Sequence, residues 1–183
     1  MNSLDKIAKQ LKGQKYPPVH LWNPEFCGDI DIRIARDGTW FYMCSPIGRK
    51  ELVKLFSSVL WFDDGEYYLV TPAEKLRIKV ELAPLIVVEM MDKGLGEARE
   101  ITFRTSTDDL VPLDSDHKLE VSLDPKTREP YPKVHVRANL MALINRPVFY
   151  ELVEKGMVNP LIDENVLGVW SFNTFFPLGK IEE

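Results

Sequence analysis

Residues 27 to 42 read Cys27-Gly28-Asp29-Ile30-Asp31-Ile32-Arg33-Ile34-Ala35-Arg36-Asp37-Gly38-Thr39-Trp40-Phe41-Tyr42. Ile30, Ile32 and Ile34 alternate with Asp29, Asp31 and Arg33, the period of a strand with one buried face. Asp37-Gly38 supplies a tight reversal, since Gly takes positive φ freely and Asp bonds its own backbone. Thr39 to Met43 returns as a second strand of β-branched and aromatic residues. A β-hairpin therefore carries two acids and a base on one face, and this face is the candidate site.

Working outward, Tyr16-Pro17-Pro18 and Asn23-Pro24 hold the approach to the hairpin extended. Further upstream, Leu4, Ile7, Ala8 and Leu11 fall at helical spacing between Ser3 as N-cap and Gly13, predicting a short N-terminal helix. Downstream, Ser45-Pro46 is read as the start of a helix with the apolar stripe Ile47, Leu52, Leu55, Phe56 and Val59. Asp63-Asp64-Gly65 ends it. Strands are expected at 66–71, 76–82, 85–91, 100–105, 110–113, 118–123, 133–137 and 165–172. A helix is expected over Ala138 to Ile144, which kinks or restarts at Pro147 and runs to Lys155.

Arg49, Leu52, Leu55 and Phe56 superpose on Arg137, Leu140, Leu143 and Ile144 at a constant offset of 88 positions (137 minus 49). Together with the shared order of hairpin, helix and strand, this suggests a duplication. The expected fold class is α+β: two similar halves, an internal repeat over residues 1–84 and 85–183, each a bent antiparallel sheet packed on a helix.

The chain has 183 residues, is 45% hydrophobic and carries a net charge of −5. That composition is ordinary for a globular protein, and the acidic balance argues against a nucleic-acid partner. No apolar run approaches the roughly 20 residues of a membrane span, and residues 1–13 lack a secretory signal. Cys27 and Cys44 are the only cysteines and are read as reduced thiols of a cytoplasmic protein.

Several segments resemble an uncharacterised bacterial family, the domain of unknown function 1285. They are Cys27 to Tyr42, Ser45-Pro46-Ile47-Gly48-Arg49 and Tyr67-Tyr68-Leu69-Val70-Thr71-Pro72, followed by Val136-Arg137, Val148 to Val153 and Gly168-Val169-Trp170-Ser171. The resemblance implies two repeats of mixed strand and helix. It carries no assigned reaction, leaves room for a sensing or signalling role, and often places Gly where Cys44 stands.

Asp29 and Asp31 lie about 7 Å apart along one strand face, a spacing open to acid–base work, to ligand binding, or to pairing with Lys75, Arg77 or Lys79 across the sheet. Arg49 and Arg137 fall near expected helix starts, where each could hold an anion or a buried acid. The three histidines, His20, His117 and His135, have no spaced metal partners, and no nucleophile motif or phosphate loop is present. No cofactor or metal is therefore expected. The reading is a non-enzymatic module for a small anionic or zwitterionic ligand, or a regulatory one. Asp29, Asp31, Arg33, Tyr42, Arg49 and Tyr67 would form its site, between the first hairpin and the first helix. The alternatives are a hydrolase using Asp29 and Asp31, or a protein-interaction scaffold.

Overall fold

The computed structural model describes residue 7 and residues 16–125, 127–160 and 162–181. The expected N-terminal helix lies outside these residues except at Ile7, which is helical and fully buried. The chain divides into two units, Met1–Pro84 with Ala138–Leu140, and Leu85–Arg137 with Met141–Glu183.

The first unit holds a six-stranded sheet. Its strands are β1 (Phe26–Ile34), β2 (Trp40–Tyr42), β3 (Ser45–Pro46), β4 (Leu60–Asp63), β5 (Glu66–Val70) and β6 (Lys75–Val80), in the order β3-β2-β1-β6-β5-β4. The hairpin forms: Asp37 Oδ1 accepts the Thr39 amide at 2.9 Å, and Gly38 takes φ +85°. Ile32 and Ile34 are fully buried while Asp29 and Asp31 are exposed. Ser45-Pro46 pairs with β2 as a strand, so the helix α1 (Lys50–Ser57) begins one turn later, with Arg49 at its N-cap position and no side-chain cap bond. Phe56 of α1 stacks on Trp40 with ring centroids 6.5 Å apart and closes this core. Asp64-Gly65, both at positive φ, turns β4 back into β5 as a hairpin.

The second unit holds β7 (Leu85–Lys93), β8 (Glu100–Thr105), β9 (Leu110–Pro112), β10 (Leu119–Leu123), β11 (Pro130–Arg137) and β12 (Leu140–Ile144), in the order β10-β11-β12-β7-β8-β9. The helix α2 (Arg146–Glu154) follows, and then a three-stranded sheet of β13 (Met157–Asn159), β14 (Asp163–Ser171) and β15 (Thr174–Lys180). α2 packs on β7 and β14. The Ile101 amide donates to Ser171 Oγ at 3.0 Å, tying β8 to β14.

The α+β expectation is overturned. Fifteen strands, two short α-helices with assigned bounds and two 3₁₀ turns stand among the described residues, so the protein is mostly β, with sheets rather than sheet-on-helix layers. Neither six-stranded sheet is wholly antiparallel, because β1 pairs parallel with β6 and β7 with β12. The error at 138–144 has a clear cause. Leu140-Met141-Ala142-Leu143-Ile144 is apolar throughout and fits either period. Leu140, Ala142 and Ile144 are 1%, 0% and 2% exposed, alternating with half-buried Met141 and Leu143, as a strand requires.

The two halves share one strand order, but in a different register from the sequence match. Read from the other edge, the second sheet is β9-β8-β7-β12-β11-β10, the same order as β3-β2-β1-β6-β5-β4, with first and last strands paired parallel at the centre. Ile34 opposes Val80, and the next amide, Glu81, donates to the Ile34 carbonyl at 3.0 Å. Val87 opposes Ile144, and the next amide, Asn145, donates to the Val87 carbonyl at 3.2 Å. These contacts equate Ile34 with Val87, an offset of 53 (87 minus 34), in place of the helix match at 88. The helices are not equivalent: α1 joins the third and fourth strands, whereas α2 follows the sixth.

Candidate functional site

The central parallel ladder of the first unit is interrupted. Asp29 opposes Arg77 and Arg33 opposes Lys79, so β1 advances four residues while β6 advances two. The surplus residues bulge β1 away from its partner. A concavity of about 450 Å³ sits at this break, lined by Asp29 and Ile30, by Arg77 to Val80, and by Gly65, Glu66 and Tyr67.

Its charges are organised around one guanidinium. Arg77 Nε donates to Asp29 Oδ1 at 2.7 Å and Nη2 to Oδ2 at 3.1 Å, a bidentate pair. Glu66 Oε1 lies 3.9 Å from Arg77 Nη1. The Arg77 hydrogen bond holds the Asp29 carboxyl below its ordinary value, and Asp29 in turn raises Arg77. Both groups are therefore charged at neutral pH.

Of the six residues singled out in the sequence, Asp29 and Tyr67 line this concavity. Tyr67 lies against Phe62 with centroids 4.8 Å apart. Asp31 is exposed on the same strand, and its carbonyl accepts the Met43 amide at 3.0 Å. Arg33 donates to Glu81 Oε1 at 2.5 Å and sits 4.2 Å from the Phe41 ring centroid. Tyr42 is half-buried opposite Ile32 on β2. Arg49 is exposed, and its side chain makes no ion pair among the described residues, so it holds no buried acid, and Asp29 pairs across the sheet with Arg77. The concavity thus lies between β1, β6 and the β4–β5 turn, away from the start of α1.

Glu66, Arg77 and Lys79 join the site without having been proposed for it. For Arg77 and Lys79 the signal is the alternation of Lys75, Arg77 and Lys79 with Leu76, Ile78 and Val80, which also fits cross-strand pairing; Glu66 has no such signal. Arg77 does both.

The fold and site define a mostly-β protein of two units, each built on the same six-strand order, with an ion-paired concavity in the first. Residues 17–83 match the model described as "Domain of unknown function (DUF1285), N-terminal domain", and residues 84–178 match "Protein of unknown function (DUF1285), C-terminal domain". The chain belongs to the DUF1285 family. It is similar to the crystal structure of a DUF1285 family protein from Silicibacter pomeroyi DSS-3, with 44% identity and a TM-score of 0.90 over 99% of this chain and 97% of that one. It also resembles a DUF1285 family protein from Shewanella baltica OS155, with 26% identity and a TM-score of 0.53 over 67% of this chain and 90% of that one. No curated protein matches. Among the described residues, no helix is long and apolar enough to cross a membrane.

Proposed function

We propose that this protein is a non-enzymatic, cytoplasmic module that binds a small zwitterionic ligand in the concavity at the β1–β6 break, with a regulatory consequence. The carrying observation is the break itself, which leaves about 450 Å³ beside a preformed Arg77–Asp29 pair. That volume falls within the several hundred cubic ångströms usual for ligand sites. Arg77 and Lys79 take the carboxylate of the ligand, Asp29 and Glu66 its ammonium, and Tyr67 its apolar body. The charge state favours binding over catalysis. A carboxyl held below its ordinary value by a guanidinium is a poor proton donor or acceptor near pH 7. Cys27 and Cys44, both free and exposed, suit a reducing compartment.

Thermal-shift screening against amino acids and related zwitterions tests the reading, since a ligand of the folded state raises Tm. The expected hit is lost in Arg77→Ala and Lys79→Ala. A library without hits, or a hit that survives both substitutions, overturns it.

A further inference from the structure

A second cleft in the first unit shares no residue with the concavity at the β1–β6 break. It lies beside the 3₁₀ turn Val19–Leu21 and β4, encloses about 230 Å³, and counts Trp22 and Trp61, both half-buried, among its lining residues. Each indole offers a flat apolar face and one N–H donor. At its polar end, Lys75 Nζ lies 2.8 Å from Asp63 Oδ2 and 4.3 Å from the Tyr68 ring centroid. Asn23 lines the same space, and exposed His20 stands at the rim.

The chemistry of this lining narrows the ligand. A cation entering the cleft meets the Lys75 ammonium, and an anion meets the Asp63 carboxylate. Asp63 and Lys75 are spent on each other, and among the described residues the lining has no second acid or base of the kind that Glu66 and Lys79 supply at the other concavity, so the fitting ligand is neutral. It needs a flat apolar face for the tryptophans and an edge of groups that both donate and accept. Asp63 accepts, Lys75 donates and Asn23 does both, which matches adjacent hydroxyls. The volume is below that of sites for whole drug-sized molecules, so it suits a single ring. We infer that the cleft lined by Trp22 and Trp61 is a binding site for the pyranose ring of a neutral saccharide.

Saturation-transfer NMR with glucose, N-acetylglucosamine and maltotriose at millimolar concentration tests this directly. The expected result is transfer from the protein to the ring C–H protons of at least one sugar. Trp22→Ala, and Asp63→Asn, which preserves shape, each weaken that binding by about tenfold or more. Lys79→Ala, at the other concavity, leaves it unchanged, so failure of the zwitterion site and failure of this one are read separately. Circular-dichroism melting of each variant confirms that the fold is retained. Absence of transfer from all three sugars overturns the inference. So does transfer that survives both Trp22→Ala and Asp63→Asn in folded protein.

Discussion

Asp109 Oδ1 lies 2.9 Å from Arg137 Nη1, joining the start of β9 to the end of β11 through a pair whose side chains are 8% and 22% exposed. Thr107 Oγ1 donates to Asp109 Oδ2 at 2.9 Å and Thr105 Oγ1 at 3.2 Å, completing a buried polar cluster. Arg49 and Arg137 looked alike in the sequence, yet one is exposed and the other neutralises a buried acid. Removing one partner of such a pair strands a charge in low dielectric. Arg137→Ala is expected to cost about 3–5 kcal/mol in chemical denaturation. Arg49→Ala should stay within about 0.5 kcal/mol of the parent. Equal costs would refute the assignment.

Asn145 caps α2: its Oδ1 accepts the Val148 amide at 3.0 Å, and Pro147 sits in the first turn, where no amide hydrogen is needed. Asn145→Ala should therefore lose about 1 kcal/mol, while Asn145→Ser keeps most of it. Urea unfolding of the two variants distinguishes a capping role from generic loop packing.

The contrast between β1 and β12 shows what was legible in the sequence. In β1, charged residues separate the isoleucines, so only one period fits. In β12, nothing polar marks the solvent face, and the neighbouring helix α2 invited extension backwards. The site was half legible for a similar reason. Asp29 and Tyr67 announce themselves locally, but the Asp29–Arg77 contact spans 48 positions and depends on a register break between parallel strands. No local pattern encodes that break. The likeness of the two halves was visible in the sequence, but its register rests on hydrogen bonds at Ile34 and Val87.

Met43 and Cys44 join β2 to β3 with φ of +47° and +64°. A side chain at positive φ meets the neighbouring carbonyl, whereas glycine does not. This geometry gives a physical reason for Gly to suit position 44 better than Cys. Cys44→Gly should stabilise the protein by about 0.5–1 kcal/mol, with a higher Tm under reducing conditions. A lower Tm would mean that the thiol makes a contact that outweighs the strain.

Gly168 on β14 is fixed by close approach rather than by turn geometry. A Cβ there would fall 2.3 Å from Phe175 Cζ and 2.7 Å from the Phe176 carbonyl oxygen. The phenyl ring could swing aside, but the backbone oxygen could not without parting β14 from β15. Gly168→Ala is therefore expected to cost about 1–3 kcal/mol by overpacking. Gly48→Ala, where the added carbon meets nothing within 4 Å, is the matched control in the same thermal assay.

The Asp29–Arg77 pair carries the last prediction, in which binding and stability separate. The pair is solvent-exposed, so its contribution to folding is small and screened by salt. Asp29 has its carboxyl lowered from 3.8 in the folded state. Its stabilisation is therefore present above pH 3.8 and disappears as pH falls through the lower folded-state value. Asp29→Asn should leave Tm at neutral pH nearly unchanged and remove a small component of the acid-induced decline below pH 3.8. The same substitution should abolish binding of a zwitterion, because Asp29 supplies the negative partner for its ammonium. Calorimetric titration at neutral pH, alongside melting curves from neutral to acid, reads both effects. A large loss of Tm at neutral pH would make the pair structural, and undiminished binding would remove Asp29 from the site.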